Sequence, residues 1–130
     1  MDDWNIGIVG GRDFNDWSVM CNVMSAMMCM FAEVGAVVPE ATLIRVVSGG
    51  ARGADCMGAA WGEAERWIDE VRVYPAEWNK YGKSAGYKRN QLIVKDSDIL
   101  IAFWDGKSKG TKHSIDLAKT KGIPTVVVRY

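Results

Sequence analysis

Ser48-Gly49-Gly50-Ala51-Arg52-Gly53-Ala54-Asp55 directly follows the β-branched run Ile44 to Val47 and opens an Ala-rich, helix-like segment. A glycine-rich strand-to-helix turn of this kind can cradle phosphate. Glycine lets the backbone turn sharply and approach a ligand, and the free amides of a helix start point their dipoles at an anion. Arg52 adds a planar fork of donors suited to the same charge. The turn lacks the Gly-Lys-Ser/Thr ending of an ATP-hydrolysing loop, and in isolation it also fits a plain tight connection in an α/β fold. The pattern is repeated, however: Gly10-Gly11-Arg12-Asp13-Phe14 follows the strand-like Trp4 to Val9, and Gly106-Lys107-Ser108-Lys109-Gly110-Thr111 follows Ile99 to Trp104.

Other residue types narrow the chemistry. The single histidine, His113, sits beside Lys112 in a basic first helical turn, which disfavours the imidazolium, and has no partner carboxylate visible in the sequence. It reads as a ligand contact or a surface residue. No clustered His, Cys or carboxylate spacing predicts a resident metal, although magnesium can accompany a bound phosphate. Cys21, Cys29 and Cys56 lack any CxxC spacing and read as small buried hydrophobes rather than a disulfide or zinc framework. The polar segment Pro75 to Ser84, with Ser84 as candidate helix cap, carries Trp78, Lys80, Tyr81 and Lys83. Its rings can stack on a base or sugar while the ammonium groups meet phosphate; equally, Trp78 can anchor a long loop to the body.

These residues need elements to position them. Strand-like runs Asn5–Val9, Leu43–Val47, Val71–Tyr74, Ile99–Phe103 and Thr125–Arg129 alternate with helix-like segments Asp16–Val34, Gly53–Trp67, Ala85–Lys95 and Thr111–Lys121. The alternation predicts one α/β domain over 1–130, a three-layer Rossmann-like sandwich with about five mostly parallel strands. All three glycine turns then lie at strand carboxyl ends, where such sheets bind ligands. The first helix carries a core stripe of Trp17, Met20, Met24, Met27, Met28, Phe31 and Val34. A second stripe of Val19, Val23, Ala26 and Met30 predicts a homo-oligomer built partly on Asp16–Val34, unless methionines simply fill an irregular core.

Net charge is zero, so composition alone gives no reason to expect nucleic acid. Its distribution is uneven: residues 1–79 hold five basic and twelve acidic side chains, residues 80–130 eleven and four. Either the halves attract each other, or the second presents a cationic patch to a phosphate-bearing ligand. An acidic start without a secretory apolar core, and no stretch long enough to span a bilayer, predict a cytoplasmic protein without a membrane partner.

The chain resembles the SLOG superfamily of Rossmann-like domains, and within it the small bacterial and phage proteins related to YspA. The resemblance runs through Gly10-Gly11-Arg12-Asp13-Phe14; Ser48-Gly49-Gly50 to Gly53-Ala54-Asp55; Ala85-Gly86 with Arg89-Asn90; and Trp104-Asp105-Gly106 to Gly110-Thr111. It implies a nucleotide or nucleotide-like ligand. The second and fourth motifs would supply amides for phosphate, with hydroxyls from Ser48, Ser108 and Thr111, and Arg12 and Arg89 would be charge partners. Asp55 and Asn90 would contact ribose or cap helix starts, and Asp13 would cap or turn.

Three functions follow from the same residues. Binding, as sensing or sequestering of a nucleotide-derived small molecule, needs only the turns, the arginines and the aromatics, and is the leading expectation. N-glycosidic hydrolysis of a nucleoside monophosphate, as in LOG-type relatives, wants a carboxylate beside the ribose. LOG proteins place a glutamate after Gly-Thr, whereas Gly110-Thr111 is followed here by Lys112-His113-Ser114. With only Asp105 and Asp116 nearby, no catalytic residue is assigned and the expectation leans away from an enzyme. Single-stranded DNA binding, as in DprA relatives, would use a track of Lys80, Lys83, Lys88, Arg89, Lys107, Lys109 and Lys112, and ranks last.

Overall fold

In strands of this chain both faces are apolar. Ile6 and Ile8 of the first strand point to one side and Val9 to the other, and in the fourth Ile99, Ile101 and Phe103 oppose Leu100 and Ala102. Strands buried on both faces require a helix layer on each. The computed structural model describes residues 3–33 and 43–130, with side chains of 30–33 excepted, and shows those layers. The chain runs β1 (Trp4–Gly10), α1 (Trp17–Glu33), β2 (Ile44–Ser48), α2 (Ala54–Ala64), β3 (Glu70–Val73), α3 (Trp78–Tyr81), α4 (Ala85–Asp96), β4 (Ile99–Trp104), α5 (Lys109–Lys121) and β5 (Thr125–Arg129).

The five strands form one parallel sheet in the order β3-β2-β1-β4-β5. Met20 and Met24 of α1, with Ala54 and Trp61 of α2, cover one face; Ile93 and Val94 of α4, with Ile115 and Ala118 of α5, cover the other. This is the expected three-layer α/β arrangement. The chain leaves β1 toward β2 and β3, then crosses back to β4 and β5, so the switch point lies between β1 and β4. No described helix is long and apolar enough to cross a membrane.

Several local expectations are corrected. α2 stops at Ala64 rather than Trp67, because Glu65 takes extended backbone and a turn, Ile68 N–H to Glu65 O at 3.3 Å, leads directly into β3. Trp67 is left exposed. The segment Pro75 to Ser84 is not open loop: α3 and a 3-10 turn at Gly82–Ser84 fill it. Ser84 precedes α4 without capping it, its Oγ donating instead to Tyr81 O at 2.9 Å. Cys29 and Cys56 are exposed rather than buried, since helical rotation turns Cys56 outward as Ala54 and Asp55 turn inward; only Cys21 is half-buried.

On α1, whose Asp16 cap accepts Val19 N–H at 3.0 Å, Val19 and Val23 of the second stripe pack at the margin of the core. Trp17 and Ala26 are exposed, and Met30, Phe31 and Val34 lie outside the described side chains.

The β1 turn and the start of α2 meet backbone to backbone. Gly11 O accepts the N–H of Ala54 at 3.2 Å, and Gly53 takes φ 85° directly against Gly11 and Arg12. A Cβ on Gly53 would overlap Gly11 O and lie 2.7 Å from Arg12 Cα. Gly53→Ala combines backbone strain with an overlap that main chain cannot relieve, and a loss of roughly 2–5 kcal/mol is expected in urea unfolding. A loss below about 1 kcal/mol, no more than an ordinary Gly/Ala difference, refutes this account.

Candidate functional site

At the carboxyl edge of the sheet, over the switch point, lies an open cleft of about 540 Å³. The β1 turn contributes Gly10, Gly11, Arg12 and Asp13; the β2 turn Ala51, Arg52 and Asp55; the β4 turn Asp105 and Ser108. Gly110, Thr111 and Ser114 of α5 close one side, and Gly86, Tyr87, Arg89 and Asn90 of α4 close another. Trp78 and Lys83 complete the rim. The three glycine turns therefore converge on one space.

The turns differ in what their amides are free to do. In the β2 turn Gly50 N–H bonds Ser48 Oγ at 3.2 Å, Cys56 N–H bonds Ala51 O at 2.9 Å, and Ala54 N–H is taken by Gly11 O. Ser48 is fully buried, and its hydroxyl donates to Asp55 O at 2.8 Å, so it offers nothing to the cleft. Asp55 folds its carboxylate back onto the amides of Ala51 and Gly10. Four donors of this segment, the Gly50, Ala54 and Cys56 amides and the Ser48 hydroxyl, are thus spent within the protein.

The fourth motif keeps free donors. Ser108 caps α5, its Oγ accepting Thr111 N–H at 3.4 Å, and Asp105 Oδ1 accepts the amides of Lys107 and Ser108, each at 2.8 Å. These bonds hold Asp105 below the ordinary carboxylate range. The first amides of a helix, here Lys109 and Gly110, have no intrahelical acceptor and face outward with the helix dipole behind them.

Arg89 and Asn90 couple the walls. Arg89 Nη1 donates to Gly49 O at 3.0 Å and its Nε to Asn90 Oδ1 at 3.2 Å, while Asn90 Nδ2 donates to Gly110 O at 3.2 Å. Asn90 sits mid-helix, so it is not a helix-start cap. Its amide is spent on α5 and on orienting Arg89. His113 Nδ1 lies 3.4 Å from Asn90 Nδ2 and the ring is edge-on to Tyr87, with burial lowering its pKa against the opposing charge of Asp116.

Other candidates fall elsewhere. Phe14 is 3% exposed and packs tilted against Phe103 and edge-on to Tyr130, which makes it part of the core beneath the β1 turn. Gly49 and Gly50 border a neighbouring hollow rather than the main cleft. Tyr81 lies between Lys80 and Lys88, and Tyr87 occupies the cleft instead. Asp116 is exposed and paired with Lys112 at 2.8 Å. Tyr87 and Ser114 were missed; Ser114 stands one helical turn beyond Thr111, a spacing that could have found it. Among the described residues no three His, Cys, Asp or Glu side chains cluster as metal ligands.

The fold and the cleft define an open, parallel α/β protein of Rossmann type with a ligand-sized crevice at its switch point. Residues 5–81 match the YAcAr family, the YspA, cpYpsA-related SLOG family, and the chain belongs to it. Gene 61 protein of Mycobacterium phage D29 is 38% identical over 85 residues, covering 62% of this chain and 68% of the relative. The DNA processing protein A of Helicobacter pylori, solved for its single-stranded DNA binding mode, superposes with a TM-score of 0.62 at 20% identity. That match covers 97% of this chain but only 65% of the other, and it shows the shared fold.

Asp55 gives the site a pH signature. It is 5% exposed, and burial pushes its carboxyl up to about 6 against the opposing influence of Arg89 and two backbone amides. A raised carboxyl binds its proton more tightly in the folded state. The resulting stabilisation is full below the ordinary carboxyl range and is lost as pH rises through about 6. Between pH 4 and 7 the wild type should lose about 2 kcal/mol from this group. Asp55→Asn should lack that part of the slope in urea unfolding at stepped pH; parallel profiles would refute the assignment.

Proposed function

We propose that the cleft binds a nucleotide or nucleotide-derived small molecule, as a sensing or sequestering module. The observation that carries this reading is the convergence of the three glycine turns and the Arg89-Asn90 pair on one crevice at the switch point. In this reading a phosphate sits at the start of α5, near the Lys109 and Gly110 amides and the Thr111 hydroxyl, to which Ser108 Oγ donates at 3.2 Å. Tyr87 and Trp78 supply the apolar surfaces for a base or sugar. Magnesium would enter with the ligand's phosphates rather than on a protein cage.

No hydrolytic role is assigned. Asp105 is the one carboxylate of the fourth motif on the wall, and it is committed to two backbone amides. Single-stranded DNA is the second reading. It is favoured by the exposed Lys107 and Lys109 of the β4 turn and α5 start and by Lys83 on the rim, none of them in an ion pair among the described residues, and by the likeness to a DNA-binding neighbour. A fluorescent oligonucleotide whose binding weakens steeply with salt would support it.

Gly110→Asp separates binding from folding. A Cβ there meets nothing within 4 Å, and an acidic residue in a first helical turn is favoured by the dipole. The variant should melt at or above the wild-type temperature. Titration calorimetry with AMP and related nucleotides should show affinity lost by about a hundredfold through charge repulsion. Unchanged affinity, or no heat from any nucleotide with the wild type, overturns the reading.

A further inference from the structure

The main cleft does not end at its arginines. A second hollow of about 290 Å³ adjoins it, and the two share one ridge formed by Arg12, Ala51, Arg52, Trp78 and Arg89. Beyond the ridge the hollow is lined by Gly49, Gly50, Pro75 and Ala76, so it adds no ionisable side chain of its own. The main cleft alone falls within the usual range for one small-molecule site, roughly 300–1,000 Å³. The hollow adds about half as much again.

Charge is arranged along this path in a particular order. At one end stands the start of α5, an anion site made of amides and hydroxyls. At the ridge stand three guanidiniums, Arg12, Arg52 and Arg89, none in an ion pair among the described residues. Arg89 is held in place by Gly49 O and Asn90, so one fork of the ridge is pre-set. Past it lies the uncharged hollow, with the Trp78 ring at its edge. The path therefore offers anionic charge two kinds of partner, the α5 start and the ridge, with the uncharged hollow beyond.

We propose that the ligand is a dinucleotide-type small molecule, two nucleoside-sized halves joined through phosphate, lying across the arginine ridge with one half in the cleft and the other in the hollow. The linking phosphate takes the forks of Arg12, Arg52 and Arg89, for which planar guanidinium geometry is suited. The second base or ribose rests on Pro75 and Ala76. This rests on the cleft being a nucleotide site, and the test keeps the two ideas apart.

Calorimetric titration of the whole protein with AMP, 5′-phosphorylated diadenosine, NAD and a short oligothymidylate supplies the comparison. At least one of the two free dinucleotides should bind about tenfold or more tightly than AMP. Ala76→Trp fills the hollow without touching the main cleft. It should erase that margin while AMP affinity stays within about twofold. Should Ala76→Trp fail to fold, as judged by its melting curve, Arg52→Gln at an exposed position should narrow the same margin. AMP binding with no dinucleotide margin, or a margin that both variants retain, overturns this inference and leaves the nucleotide site standing. A margin shown by the oligothymidylate alone overturns it in favour of a nucleic acid strand. Silence with every probe overturns both.

Discussion

The edge of this sheet is organised by one backbone contact, the hydrogen bond from Ala54 N–H to Gly11 O. It is possible only because Gly53 presents no side chain to the β1 turn at that point. The contact fixes the first two turns as a unit, and it consumes the leading amide of α2. Asp55, carried into the interior by the same helix start, takes the amides of Ala51 and Gly10. What would have been the more obvious anion cradle becomes a rigid wall. The donors that remain for a ligand include those of α5 and the arginine forks.

Charge is partitioned to match. Arg45, near the amino end of β2, and Arg72, within β3 and turned to Asp96 at the end of α4, are neutralised by Asp3, Glu70 and Asp96. Arg12, Arg52 and Arg89 stand at the opposite edge. Asp3 and Glu70 of the acidic half are thus spent away from the cleft, while Asp13 and Asp55 line it. The one described ion pair between the halves, Arg72 with Asp96, takes its cation from the acidic half. Mutual attraction of the halves therefore does not account for the lysines of residues 80–130.

The strands and four long helices were legible because burial on both faces writes β-branched runs directly into the chain, and β5 was placed to the residue. The convergence of turns was legible too, since topology alone brings strand carboxyl ends together. Less accessible was which turn keeps its amides, because that depends on where the Asp55 side chain goes, and a carboxylate in a first helical turn is equally at home pointing outward. Phe14 looked like part of a binding motif for a similar reason. Its packing on Phe103 is a contact across 89 positions that no local pattern encodes. The short α3 escaped notice because four residues carry no helical period.

The two walls of the cleft differ in kind. The β1 and β2 turns meet through main chain and glycine, where any added side chain collides with its neighbours. The α4 and α5 wall is made of side chains, with open space at Gly110. The family match covers the first wall and ends at residue 81, before the second begins. Such a site can diverge by ordinary substitution on one side only. Substitution can therefore reshape what faces the cleft from α4 and α5 while the β1 and β2 floor stays as it is.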